Sequence, residues 1–158
     1  VQVDASHNVH SDGMSHTGCF ISLGKERSYL QARSGKQKLN AQSSTDAEII
    51  GECDMLKLCL HTRAIIDELS LEPVEQMVFY QDNLSGITLT TEDSKAKRSK
   101  HLLSRICFIR FHTRMSTMRT EYLHTDSMDA DTLSKPTQGK KFQQHISNIM
   151  GMQWENFV

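Results

Sequence analysis

The chain has 158 residues, of which 37% are hydrophobic, and a formal net charge of −1. That suffices for one globular domain with a core but not for two, and no stretch is long and apolar enough to span a membrane. Four cysteines, Cys19, Cys53, Cys59 and Cys107, lack the CxxC spacing of a zinc knuckle and read as reduced core residues of an intracellular protein.

"VQVDAS" sets Val1, Val3 and Ala5 against Gln2, Asp4 and Ser6, the periodicity of a strand rather than of a signal peptide. With no methionine ahead of it, the chain is expected to be a piece of a longer protein. "GCFISLG" and "RSYLQARS", separated by Lys25 and Glu26, predict two hairpin-linked strands, and "SGKQKLNAQSS" predicts a polar connection. "STDAEIIGECDMLKLCLHTRAIIDELSL" is the longest helical segment. Its apolar residues occupy more than one face (Ile49, Cys53, Leu56 and Leu60; Ile50, Leu58, Ile65 and Leu69), so a sheet and another helix are expected to cover it. Thr45 followed by Glu48 predicts a capping box at its start.

"EQMVFYQD" reads as a buried strand and "NLSGITLTT" as a short helix behind it. "SKHLLSRICFIRFHTRMST" predicts a second long helix, with Leu102, Leu103, Ile106, Phe108, Ile109 and Phe111 as its apolar positions. "MRTEYLHT" is a further strand, "SMDADTLSK" a short helix stopped by Pro136, and "GKKFQQHISNIMGM" a last amphipathic helix. The order predicts an α/β (mixed α+β) fold: a five-stranded mixed sheet flanked by helices on both faces. Residues 1–142 form the expected domain and 143–158 a C-terminal helix and tail.

The small net charge hides an asymmetry. From Ser94 to Thr120 there is no acid, and this run holds Lys95, Lys97, Arg98, Lys100, Arg105, Arg110, Arg114 and Arg119, eight of the 18 lysines and arginines. A solvated basic helix is one reading. The absence of compensating acids favours a polyanionic partner.

Four acids stand out by context. Asp4 lies within a strand whose other face is apolar, Glu48 in the first turn of the central helix, Asp82 at the end of an apolar strand, and Asp131 in the short helix after the last strand. If the strands of Asp4 and Asp82 are neighbours, these side chains converge at one end of the sheet. Clustered carboxylates need a cation to stay ionised. Oxygen-only ligands select Mg²⁺ or Mn²⁺, and two such ions about 3.5–4 Å apart clamp the attacking and leaving oxygens of a phosphodiester. Each acid also has a plainer reading: a turn for Asp4, a capping partner for Glu48, a helix cap for Asp82 and Asn83, a surface acid for Asp131.

"VDAS", "KQKLNAQSSTDAE", "YQDNLSGI", "SKHLLSRICFIR" and "EYLHTDSMDADTLSKP" together resemble the ribonuclease H domain of copia-type LTR retrotransposons, over Val1 to about Phe142. The resemblance implies metal-binding carboxylates at Asp4, Glu48, Asp82 and Asp131. It implies two Mg²⁺ ions, which Mn²⁺ can replace, no small-molecule cofactor, and hydrolysis of the RNA strand of an RNA–DNA hybrid to 5′-phosphate and 3′-hydroxyl ends. It further implies a polyprotein that includes a reverse transcriptase, in a cytoplasmic retrotransposon particle.

His124, seven positions before Asp131, matches the place where ribonucleases H often carry a mobile histidine; it is a candidate proton carrier or a strand-end surface residue. Candidate nucleic-acid contacts are Ser43 and Ser44 beside Glu48, Asn83 and Ser85 after Asp82, and Lys95, Lys97, Arg98, Lys100, His101 and Arg105 in the basic segment. Asp129 and Glu52 depart from the family, which usually has apolar residues there. They motivate a rival reading, a decayed or repurposed module that binds nucleic acid without cutting it. A DNA-cutting integrase-like nuclease is a second rival, and a zinc protein built on His7, His10 and His16 a third.

Overall fold

The computed structural model describes residues 1–24, 28–69, 76–91 and 100–152. β1 (Gln2–Ser6), β2 (His16–Ser22) and β3 (Tyr29–Lys36) form an antiparallel meander. β4 (Met77–Gln81) lies parallel to β1 on its other side, and β5 (Met118–Tyr122) parallel to β4. The sheet is thus mixed and five-stranded, in the order β3-β2-β1-β4-β5. A parallel join needs a long crossover. α1 (Ser44–Glu68) carries the chain from β3 to β4, and α2 (Leu84–Thr91) with α3 (Leu103–Arg114) carries it from β4 to β5. α4 (Asp131–Ser134) and α5 (Gly139–Met150) follow β5.

The period-two patterning decides which helix meets which face. Val3, Ala5, Cys19, Ile21, Met77, Phe79 and Met118 point to one side and pack with Ile49, Ile50, Cys53 and Leu56 of α1 and Ile106 and Ile109 of α3. The opposite face holds a smaller core: Phe20 packs with Met128, Ala130 and Ile149, with Leu123 and Leu133 at its margin. Helices therefore cover both faces, as the element order implies.

Three local expectations are corrected. α1 is capped by Ser43, whose hydroxyl accepts from the Asp46 amide at 3.1 Å; Thr45 lies inside the helix and Glu48 takes no part in the cap. Two serines and a threonine are adjacent here, and the extended backbone of Ser43 (φ −154°) is the one that brings an oxygen over the first turn. The second correction concerns coverage: Ile65 and Leu69, near the end of α1, are exposed. The third is Cys107, which is exposed on α3 while the other three cysteines are buried; all four are free thiols. Among the described residues no helix is long and apolar enough to cross a membrane.

Candidate active site

β1 and β4 run side by side with Gln2 level with Tyr80. Two residues further along each strand direction, Asp4 and Asp82 reach the same end of the sheet. Asp4 pairs across the antiparallel ladder with Gly18. A Cβ on Gly18 would lie 2.6 Å from the Leu133 carbonyl carbon and the Ser134 nitrogen, and 2.7 Å from the Ala130 oxygen. Only glycine lets α4 settle onto the strands at this point. α4 begins with Asp131, so its close approach sets that carboxylate beside Asp4. Asp4, Asp82 and Asp131 each place an oxygen within 4.8 Å of the others, and theirs is the group able to hold a metal ion among the described residues.

Glu48 approaches from the other face. One of its oxygens accepts the Ala5 amide at 3.0 Å; the other is buried without a partner. Glu48, Asp4 and Asp82 line one open cleft of about 630 Å³, together with Ser44, Asn83, Ser85, Tyr122 and Lys135. Local order holds the rim: the Asn83 side chain accepts the Gly86 amide at 3.0 Å and so caps α2, while its amide group reaches Thr45 at 3.5 Å.

The electrostatics are those of a crowded anionic site. Burial raises the Asp4 carboxyl above its usual range, and the charges of Asp131 and Asp82 add to this, against opposing pulls from Ser134 and Lys135. Burial and then the Asp4 charge push Glu48 well up. Burial alone would raise Asp131 too, but hydrogen bonds from Lys135 and Lys141 outweigh it and hold Asp131 low. Lys135 Nζ lies 3.3 Å from Asp4 and 2.9 Å from Asp131, and Lys141 Nζ 3.1 Å from Asp131. Ser134 donates a short hydrogen bond to Asp4, and Thr125 donates to Asp82 at 2.7 Å.

The remaining candidates are placed as follows. His124 is exposed on the turn after β5, where its ring nitrogen accepts the Asp126 amide at 3.3 Å; it is not among the cleft-lining residues. His101 Nε2 is 3.2 Å from Asp46, and Arg105 donates to Asp54 at 2.7 Å, both outside the cleft. Lys100 is exposed at the start of the turn that leads into α3. Lys95, Lys97 and Arg98 lie outside the described residues. His7, His10 and His16 do not share a site: His7 meets the Ala41 carbonyl at 3.2 Å, whereas His10 and His16 pair with each other at 3.0 Å.

Lys135, Lys141, Ser134, Thr125 and Tyr122 were not singled out in the sequence. A signal existed only for Lys135, whose i,i+4 spacing from Asp131 suits an acid–base pair, although its extended backbone places it just past the end of α4.

The two family departures have defined surroundings. Asp129 accepts from His145 Nδ1 at 2.6 Å and from Asn148 at 3.0 Å, and its backbone amide donates to Gln2 at 2.7 Å. Glu52 is buried on the α1 side of the sheet and accepts the Thr120 hydroxyl at 2.6 Å. Neither carboxylate belongs to the three-residue group.

No family model matches the chain. Over 138 residues, 87% of its length, it is 28% identical to the retrovirus-related Pol polyproteins from transposons RE1 and RE2 of Arabidopsis thaliana, and it spans 9% of each of those proteins. Among solved structures it resembles the N-terminal RNase H domain of a Mycobacterium tuberculosis protein (TM-score 0.61, 11% identity, 90% of this chain and 96% of that one). It also resembles LC11-RNase H1 from compost (TM-score 0.57, 15% identity, 84% and 89%) and RNase H1 of Halobacterium salinarum (TM-score 0.56, 10% identity, 84% and 91%). The chain therefore has the ribonuclease H fold, and its homologues are Pol polyproteins of retrovirus-related transposons.

Proposed function

We propose that this domain is a metal-dependent endonuclease that hydrolyses the RNA strand of an RNA–DNA hybrid during reverse transcription of a retrotransposon. The observation that carries this reading is the convergence of Asp4, Asp82 and Asp131, from three separate elements, at one end of the central strands of a ribonuclease H sheet with Glu48 beside them. The residues fit divalent ions. All the donors are carboxylate oxygens, the choice of Mg²⁺ or Mn²⁺, and Glu48 keeps one buried oxygen without a protein partner.

Asp4, Glu48, Asp82 and Asp131 would hold two Mg²⁺ ions. When bound, these ions supply an activated water and stabilise the departing 3′ oxygen. The chain's own part is orientation. Gly18 and Ser134 fix Asp131 against Asp4, Thr125 orients Asp82, and the Ala5 amide fixes Glu48. Ser44, Asn83 and Ser85 at the cleft, with Lys95, Lys97, Arg98 and Lys100, would contact backbone phosphates, so binding weakens with salt. His101 and Arg105 already hold Asp46 and Asp54, and would meet the hybrid from those positions. Shape and 2′-hydroxyls, rather than base sequence, would identify the substrate. His124 on its exposed turn would carry protons at the cleft margin. The domain would work beside the reverse transcriptase of the same polyprotein, in a cytoplasmic retrotransposon particle.

The rival reading of a non-cutting module has less support, because Asp129 and Glu52, which motivated it, are engaged away from the carboxylate group. Cleavage of a labelled hybrid with Mg²⁺ tests the proposal. Asp82→Asn should abolish cleavage and leave hybrid binding largely intact; undiminished metal-dependent cleavage by that variant would sink the assignment.

A further inference from the structure

Lys135 is set where a cation between Asp4 and Asp131 belongs, and its position is built rather than incidental. Its backbone is extended (φ −135°, ψ 149°), as the following Pro136 favours, and its amide donates to the Asp131 carbonyl at 2.8 Å. The preceding residue, Ser134, is hydrogen-bonded both to the Asp4 carboxylate and to the Asp131 carbonyl. The stem therefore starts from a point fixed to both acids. Its ammonium reaches them at 3.3 and 2.9 Å, while the side chain stays 40% exposed on the cleft wall. Lys141 differs: it reaches Asp131 alone and does not line the cleft.

Two carboxylates with 1% and 4% of their side chains exposed carry a large desolvation cost unless a positive charge stands between them. A divalent ion on the same oxygens would face the ammonium at contact distance, and like charges there repel strongly. We propose that Lys135 is an internal counter-ion that occupies the Asp4–Asp131 cation position in the metal-free protein and is displaced when a divalent metal binds. The exposed stem allows this, because the ammonium can swing into the cleft without unfolding α4. Displacement sets a threshold for metal binding. It also leaves a positive charge on the cleft wall, on the side open to a nucleic-acid backbone. The inference rests on the metal-binding reading of the carboxylates given above.

The test is Mn²⁺ affinity, followed by electron paramagnetic resonance on the whole domain without nucleic acid. Lys135→Met should bind Mn²⁺ about tenfold more tightly than the parent, equivalent to one repulsive contact removed. Its melting temperature should fall in chelator and rise more steeply with Mn²⁺. Lys135→Gln, which keeps a polar stem, should show the same sign if the methionine variant folds poorly. Lys141→Met should shift affinity less than Lys135→Met. Equal or weaker Mn²⁺ affinity in a folded Lys135 variant overturns the inference while hybrid cleavage by the parent stands. If neither parent nor variants bind Mn²⁺, the metal-binding reading itself falls, and the inference with it.

Discussion

Glu52 sits wholly buried one turn beyond Glu48 in α1, and its carboxylate accepts a 2.6 Å hydrogen bond from the Thr120 hydroxyl on β5. Burial pushes this acid up to about 7, against smaller opposing pulls from Thr120 and Gln81. The folded protein therefore holds a proton that the unfolded chain releases near 4.5. Between those values the native state binds more protons, so stability falls as pH rises from about 4.5 to 7 and stays low above it. Glu52→Gln should remove this slope and stabilise the domain near neutrality, by up to ~3 kcal/mol if the whole shift is recovered. Urea denaturation of both proteins from pH 5 to 8 checks this; parallel pH profiles would overturn it.

Gly18 should tolerate no side chain. Gly18→Ala places a methyl group against the Leu133, Ser134 and Ala130 backbone, which cannot rotate away. Overpacking of this kind costs roughly 1–3 kcal/mol. Here it should also push Asp131 away from Asp4. The expected result is a larger loss of hybrid cleavage than of melting temperature, measured side by side; a variant with parental cleavage would contradict the role given to this contact.

Ser43 and Glu48 should separate cleanly. Ser43→Ala removes the cap of α1 and should cost about 0.5–2 kcal/mol in denaturant unfolding. Glu48→Gln should leave that stability unlowered, because the Glu48 carboxylate does not cap the helix, yet should abolish cleavage. A Glu48→Gln protein as destabilised as Ser43→Ala would return Glu48 to a structural role.

Asp129 and His145 tie α5 to the turn before Asp131. Asp129→Ala takes the ring of buried His145 off its carboxylate partner, at a cost of roughly 1–3 kcal/mol, whereas His145→Ala should cost less because Asn148 still donates to Asp129. Replacement of both by leucine should recover much of this loss, since a buried hydrogen-bonded pair replaced on both sides by apolar groups is often nearly neutral. A double-mutant cycle by urea denaturation measures the coupling, and additive losses would show that the two do not act as a pair.

Much of the architecture was legible because it rests on local periodicity. Val1, Val3 and Ala5 alternating against Gln2, Asp4 and Ser6, the greasy α1, and Pro136 after α4 each announce an element without reference to any other. The acids carried weaker signals, each with a plausible local role. Glu48 illustrates the limit. Its spacing from Thr45 suits a capping box, but adjacent Ser43, Ser44 and Thr45 all offer a hydroxyl, and backbone conformation rather than residue type selected Ser43.

By itself the sequence determined the strands, the helices and the resemblance that singles out four acids, because alternation, capping residues and motif order are properties of neighbours along the chain. Tertiary structure decided which oxygens meet. The parallel register of β1 and β4 sets Asp4 level with Asp82, and the missing Cβ of Gly18 admits α4 with Asp131. The extended Lys135 turns an apparent surface lysine into the ammonium between two buried carboxylates. The tertiary fold also brought Asp129 to His145 and Glu52 to Thr120, so that two acids which looked like defects have partners. These outcomes depend on distances between residues far apart in sequence, and burial makes each such contact either satisfied or costly.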